Sequence, residues 1–365
     1  MPAAHELDFL VQRKDLRKYE LAPGSAQAEM GEALIGIEKF AFTSNNITYA
    51  VFGEAMGYWN FFPNARESVW GRIPVWGYGE ILDSRIEELN DGERIYGYLP
   101  MSTHVNVLPE HITAGGFIDG AEHRRKLPAA YQQYVRLAND PMHDPQWEDH
   151  RALLHPLYFT SFLIEDFLTD NTLFGATQVV LASASSKTAL GVAFLLSKKR
   201  PFDVRVIGLT SERNRKFCEG LGYYDQVVTY DELAKLPSAT PTVFVDMAGD
   251  GKLLSAVHSH FGAALKYSCI VGATHWDQRA TQHAMPGPKP QFFFAPTQMA
   301  KRMKGWGGDV FRTRFGQAWK MFLPSAANWL QIRHSRGIVA VAGAYLEVLE
   351  GRTPPEIGHI LSLNK

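Results

Sequence analysis

Ser183, Ser185, Ser186, Lys187 and Thr188 crowd together between an apolar run at 179–181 and a stretch of helical spacing at 187–199. A small-residue turn that opens a helix offers unpaired N–H groups and the positive end of the helix dipole, so it can seat a pyrophosphate. The hydroxyls add donors, and Lys187 adds charge. The next apolar run, 204–209, ends in Thr210 and Ser211, with Arg213 and Arg215 just beyond. Dinucleotide sites that read a free ribose place Asp or Glu there, whereas hydroxyls and guanidinium groups suit a 2′-phosphate. That favours NADPH over NADH. Glu212, at the start of the following helix, reads as a solvated first-turn acid.

Other readings compete for the same residues. Ser186-Lys187-Thr188 imitates the end of a phosphate-binding P-loop, but that loop needs glycine where this chain has Leu181 and Ser186. A small-residue turn also serves plain helix–sheet packing, and the arginines suit a solvated helix face.

The elements that must position these groups alternate regularly from about 175 to 295. Strands are expected at 179–181, 204–209, 226–228, 242–245 and 269–271, with helices near 187–199, 212–221 and 251–261. Such alternation predicts a parallel sheet flanked by helices. Gly272 and Thr274 end a strand on the ligand side of that sheet, and Phe294-Ala-Pro296 presents backbone toward the same side.

Residues up to about 115 alternate in short β-branched and aromatic runs, with a reversal at Asn90, Asp91 and Gly92. This predicts a β-rich domain. The polar, aromatic segment 120–150 reads as an insertion or a linking excursion. From 149 to 168 the spacing is near-helical, although Pro156 interrupts it. The last apolar run, 357–363, is placed to rejoin the sheet of the first domain.

Composition narrows the function classes. The 365-residue chain carries 37 Lys and Arg against 38 Asp and Glu, so no overall field draws it to nucleic acid or anionic lipid. No apolar run reaches the length of a membrane span, and the first residues lack the pattern of a secretory signal, so a cytoplasmic protein is expected. Cys218 and Cys269 stand far apart and read as buried thiols. His258 and His260 read as surface or helix-packing residues, and His275 as a weaker acid candidate than a tyrosine.

These segments together resemble the medium-chain dehydrogenase/reductase superfamily, in its zinc-independent quinone oxidoreductase and enoyl reductase branch. The carriers are Ile73-Pro-Val-Trp-Gly-Tyr-Gly-Glu80, Asn90-Asp-Gly-Glu-Arg-Ile-Tyr-Gly97, the run from Val204 to Tyr230, Phe244-Val-Asp-Met-Ala-Gly249 and Ile270-Val-Gly-Ala-Thr274. The resemblance implies an α/β protein with a GroES-like catalytic domain at 1–155, a Rossmann domain at 156–300 and a return to the catalytic domain at 301–365. Ser183, Lys187 and Ala189 stand where the family has glycines, and Tyr78 where zinc members have histidine, which disfavours a catalytic zinc.

Reduction without a metal needs a donor for the charge that develops on the acceptor, and a hydroxyl in a dry pocket suffices. The stretch Phe42-Thr-Ser-Asn-Asn-Ile-Thr-Tyr-Ala-Val-Phe-Gly53 resembles the family segment beside the nicotinamide. By that resemblance Tyr49 is the proton donor, with Asn46 and Thr48 as orienting groups or cofactor contacts, and Thr160 lies near the ring. Tyr49 also suits a core position. Tyr58-Trp-Asn-Phe-Phe62 supplies aromatic walls for a flat or acyl substrate, or simply core. The implied activity is hydride transfer from NADPH to an activated alkene, quinone or carbonyl in a small molecule, acyl-bearing or aromatic. A homodimer paired through Gln291-Phe-Phe-Phe294 is expected. The altered turn leaves open a module that binds the nucleotide without turnover.

Overall fold

The computed structural model describes residues 6–24, 27–272 and 285–364. The chain forms two compact units, one of Met1–Leu153 with Gln331–Lys365 and one of Leu154–Leu330.

The first unit opens with β1 (Leu7–Gln12), β2 (Asp15–Pro23), β3 (Ala33–Phe42) and α1 (Ser44–Val51). It continues through β4 (Trp70–Arg72), β5 (Pro74–Ser84), β6 (Arg94–Pro100), β7 (His104–Val107), β8 (Pro109–Thr113), β9 (Gly116–Asp119) and β10 (Gln133–Arg136). Helix α2 (Glu148–Asp170) then carries the chain into the second unit, and Pro156 sits inside it without ending it. The reversal at 90–92 joins β5 to β6, with Gly92 at φ 86, a conformation that favours glycine.

The second unit alternates β11 (Gln178–Ala182), α3 (Lys187–Lys199), β12 (Arg205–Thr210), α4 (Glu212–Gly220), β13 (Gln226–Thr229), β14 (Thr242–Asp246), α5 (Gly251–Phe261) and β15 (Leu265–Ile270). A short edge strand β16 (Gln291–Phe292) and helices α6 (Ala295–Trp306) and α7 (Gly308–Ala327) complete it. Its sheet runs β13-β12-β11-β14-β15-β16, all parallel. Strands β11 and β14 are buried at every position, as expected where helices cover both faces. Ser186 caps α3 and Asp250 caps α5, each accepting from backbone N–H groups in the first turn.

The chain re-enters the first unit as β17 (Gln331–Arg336), α8 (Ile338–Leu349) and β18 (Ile357–Ser362). Strand β18 pairs antiparallel with β3, His359 opposite Phe42, so the final run rejoins the first sheet as the sequence suggested. The main path there is β17-β18-β3-β5-β6-β10-β9-β8, with β7 also on β3, and β2-β1-β4 forms a smaller sheet.

Two expectations are corrected. The second unit extends to Leu330 rather than ending at 300, because α7 buries Phe311, Phe315, Trp319 and Phe322 within it. Phe322 stacks 4.3 Å from Tyr158, and Phe315 meets Phe159 edge-on at 5.1 Å.

Nor is 120–150 a linking excursion, since β10 joins the first sheet between β6 and β9. Arg124, buried, pairs with buried Asp119 at 2.8 Å, donates to Phe61 O and Tyr134 Oη, and stacks 4.3 Å from the Phe62 ring. A buried pair this fully satisfied fixes the segment, because losing one partner would strand a charge, at a cost of about 3–5 kcal/mol.

Candidate functional site

In the second unit the turn after β11 lies at the carboxyl ends of the strands, beside the step from β11 to β14 where the strand order reverses. Open parallel sheets bind ligands in the crevice at such a switch point. Ser183 takes φ 51, the left-handed conformation, so the chain makes the glycine bend without glycine. Its carbonyl accepts from Ser186 N at 2.8 Å, and Ala184 N donates to Leu209 O at 3.1 Å. Gly208 keeps β12 close: a Cβ there would lie 3.1 Å from that of Ala184.

The remaining turn residues have distinct tasks. Ser185 Oγ accepts from Asn214 Nδ2 at 2.8 Å, linking the turn to α4. Ser186 Oγ caps Ala189 N at 3.3 Å, Lys187 is the first residue of α3, and the carbonyl of Thr188 accepts from Ser161 Oγ at 2.7 Å. Leu181 is fully buried within β11, so the wide loop of a P-loop has no room to form.

Beyond β12 the candidates separate. Thr210 is buried and its hydroxyl engages the Cys218 thiol rather than the crevice. Ser211 is the N-cap residue of α4, half-buried, and its side chain makes no cap hydrogen bond. Arg213 is exposed in the first turn of α4. Arg215 is engaged elsewhere, paired with Glu232 and with Glu212 at 3.1 Å. Gly272 ends the β15 side, where a Cβ would fall 2.3 Å from Met247 O, so only glycine fits. Thr160, half-buried in α2, directs its hydroxyl to Pro156 O at 3.3 Å, and Phe294, 39% exposed, precedes α6. Thr274 and His275 lie outside the described residues.

Sequence reasoning missed three residues around this turn. Tyr230, just past β13, brings its hydroxyl to Ser183; Tyr224 Oη donates to Ala184 O at 2.6 Å; Asn214 spans to Ser185. Only the position of Tyr230 at a strand end carries any local signal.

In the first unit Tyr49 lies on α1, not on a strand. Thr43 caps that helix in a reciprocal box: Thr43 Oγ1 accepts from the helix backbone while Asn46 Oδ1 accepts from Thr43 N at 2.8 Å. Asn46 Nδ2 donates to Pro74 O at 2.9 Å, so this side chain is committed to the cap and to β5. It is Asn45 that reaches the Tyr49 hydroxyl. Thr48 Oγ1 bonds back to Ser44 O at 3.3 Å. The alignment anchor Gly53 has its own reason: a Cβ there would fall 2.1 Å from the buried Trp59 indole, which Gly71 adjoins from another side at 2.4 Å.

Tyr49 is 6% exposed within a cluster of rings. Ring centres of Tyr58, Tyr98 and Tyr131 lie 4.6, 5.7 and 6.1 Å away, and Trp76 stands 5.1 Å from Tyr98. Burial pushes the phenol of Tyr49 well above its ordinary range, and the nearby Tyr131 adds to that. The Trp76 indole N–H reaches the Tyr49 hydroxyl, while the hydroxyls of Tyr78 and Tyr98 are buried with no hydrogen-bond partner among the described residues.

Several expectations are settled by packing. His258 is fully buried, with Nδ1 at Pro286 O and Nε2 at Ser268 Oγ, so it serves helix packing. Cys218 and Cys269 are buried free thiols, each pushed up to about 12 by burial. Among the described residues no group of His, Cys, Asp and Glu is arranged to hold a metal. No helix among them is long and apolar enough to cross a membrane.

Comparison with known sequences gives one match, over residues 40–354, to a family described as a protein of unknown function, DUF2855. The chain belongs to that family. Among curated proteins no sequence matches it.

Solved structures show what fold this DUF2855 member has. It is similar to CurA of Vibrio vulnificus, solved with NADPH, at 14% identity and TM-score 0.59, covering 95% of this chain and 94% of that one. A protein named provisionally as an NADPH:quinone reductase from Mesorhizobium loti gives 15% identity and TM-score 0.63, with 99% of each chain covered. The yhdH oxidoreductase of Salmonella enterica, solved with NADP, gives 11% and 0.53 over 97% of this chain and 99% of that one. The α/β fold with a β-rich part and a parallel sheet is therefore the fold of these three proteins, as the resemblance implied.

Proposed function

We propose that this chain is an NADPH-dependent, zinc-independent reductase that delivers hydride to an activated alkene, quinone or carbonyl. The observation that carries the reading is the tight turn at 183–186, seated at the reversal of strand order and opening α3. Two proteins of the same fold, CurA solved with NADPH and the Salmonella enterica oxidoreductase solved with NADP, support the choice of cofactor.

The residues present fit such a group. The left-handed Ser183 and the close approach of Gly208 to Ala184 leave the backbone near the crevice, as a pyrophosphate requires. Ser185, Ser186, Lys187 and the start of α3 would hold the diphosphate; Ser211 and Arg213 would read the 2′-phosphate. When bound, the nicotinamide supplies a hydride. Tyr49 would then donate a proton to the charge left on the substrate, beside the rings of Tyr58, Trp76, Tyr98 and Tyr131. Its raised pKa keeps the phenol protonated, and so a donor, across the physiological range.

Edge strand β16, with Phe292 52% exposed, is the surface through which a homodimer would pair. Its test is the mass in solution of wild type and Phe292→Lys.

Calorimetric titration with NADPH and NADH, followed by an NADPH-oxidation screen of enones, quinones and aldehydes, tests the reading. Tight NADPH binding with oxidation by one acceptor class is expected. Binding without turnover on any acceptor would instead favour a nucleotide sensor, and no response to either nucleotide at millimolar concentration sinks both.

A further inference from the structure

We propose that Tyr131 is a positioning residue for Tyr49, and that Tyr49, Tyr131 and Tyr58 form a proton relay from solvent to the reduced substrate. The proposal rests on the reductase reading and names the machinery that re-protonates its donor.

The three rings converge from separate parts of the first unit: α1, the turn after it, and the segment before β10. Tyr131 stands edge-on to both of the others, at 6.1 Å from Tyr49 and 5.9 Å from Tyr58, while Tyr49 and Tyr58 lie 4.6 Å apart. The side-chain polar atoms of Tyr131 approach those of both partners. By whole-residue exposure Tyr49 and Tyr58 are buried and Tyr131 is half-buried.

Tyr131 is also held in place more firmly than a loop residue ordinarily is. The next residue, buried Gln132, donates through Nε2 to Arg124 O at 2.6 Å and to Leu127 O at 2.7 Å. Arg124 in turn is locked by Asp119 and Tyr134. The segment with no evident task in the sequence thus delivers one phenol to the donor and pins it there.

The chemistry gives a reason for a relay. A buried phenol that gave up its proton alone would become a buried phenolate, which this apolar cluster penalises. In the relay the Tyr49 O–H bond breaks as the new C–H or O–H bond forms on the substrate, and the Tyr49 oxygen takes the proton of Tyr131. Tyr131 recovers a proton from water directly or through Tyr58. The electron pair comes with the hydride, NADPH becomes NADP⁺, and one solvent proton is consumed per turnover.

The test compares wild type, Tyr131→Phe, Tyr58→Phe and a Tyr19→Phe control. Tyr131→Phe should lower kcat on the order of 10- to 100-fold, with NADPH affinity and KM within about twofold, and should enlarge the solvent deuterium isotope effect on kcat. Without any cofactor, the ¹³Cζ resonance of Tyr49 should move in Tyr131→Phe and stay in place in Tyr19→Phe. Difluorotyrosine at 131 keeps the hydroxyl and the packing should Phe unfold the segment; it should shift the basic limb of the kcat–pH profile downward. An active wild type whose Tyr131→Phe variant matches it in kcat, isotope effect and Tyr49 resonance overturns the relay alone. A wild type that oxidises no NADPH with any acceptor overturns the reductase reading first and the relay with it.

Discussion

Asn214 Nδ2 lies 2.8 Å from Ser185 Oγ, which fastens the turn after β11, the first strand of the parallel sheet, to α4, the helix after the second. In a glycine-rich turn the backbone alone would set that geometry. Here a side-chain bond between two elements does so.

Asn214→Ala should therefore loosen the turn without unfolding the sheet. Loss of one neutral hydrogen bond is worth about 1 kcal/mol, so the NADPH Kd should rise about fivefold while the unfolding midpoint barely moves. Calorimetry and thermal denaturation on the same sample check it. An unchanged Kd shows the turn to be set by Ser183 and the α3 cap alone.

Ser183 carries a backbone cost that substitution can expose. At φ 51 a side chain sits in the left-handed region, disfavoured by roughly 1–2 kcal/mol, and branching at Cβ makes it worse. Ser183→Gly relieves the strain but frees the unfolded chain, so a net gain of about 0.5 kcal/mol is expected. Ser183→Val should lose more than about 1 kcal/mol. Denaturant midpoints should rank Gly above Ser above Val; Val equal to Ser would show that the turn relaxes away from this conformation.

The sheet was legible because its signal is local: buried runs such as 242–245 and helices such as 251–261 announce themselves by hydrophobic period and by caps like Asp250. What escaped was long-range. Nothing near Tyr131 in sequence says that it meets Tyr49, and nothing near Asn214 says that it meets Ser185. The boundary was placed at 300 instead of 330 because α7 looks like any amphipathic helix until its aromatic face finds Tyr158 and Phe159. Asn46 carries a weaker signal: the capping-box pattern has Glu or Gln three residues after Ser or Thr, and here Asn46 takes that place after Thr43 in the structure.

The start of α2 supports a prediction about acid stability. Glu148 accepts from Arg94 at 2.7 Å and His143 at 2.9 Å, and pairs with Lys39 at 3.0 Å. Burial alone would raise its pKa, but these partners outweigh that and hold it at about 2. A carboxylate depressed below its unfolded value near ~4.3 adds stability that is complete above that value and disappears as pH falls through about 2. The stability difference between wild type and Glu148→Gln should accordingly be constant near neutrality and shrink from about pH 4 down to pH 2. Urea midpoints across that interval measure it; a difference that persists undiminished at pH 2 would assign the effect to packing.

The two arginines after β12 make the sharpest test of cofactor choice, because Arg213 stands in the first turn of α4 beside the strand end and Arg215 lies further along the helix. Arg215 already serves Glu232 and Glu212, and Glu232 also holds Lys235 at 2.5 Å, so Arg215 sits in an ion-pair network of its own. Arg213 is exposed on the first turn of α4, two residues after Ser211, at the end of the strand where a 2′-phosphate would be read. A charge-assisted hydrogen bond to phosphate is worth about 1.5–3 kcal/mol, so Arg213→Ala should raise the NADPH Kd on the order of tenfold or more and leave that for NADH unchanged. Arg215→Ala should change NADPH binding by less than about threefold while lowering the unfolding midpoint, since it leaves Glu232 short of a partner. Titrating both nucleotides into both variants separates the roles. Equal losses for NADPH and NADH in Arg213→Ala would mean that the guanidinium never meets the 2′-phosphate, and the selectivity would have to come from Lys187 and the hydroxyls of the turn.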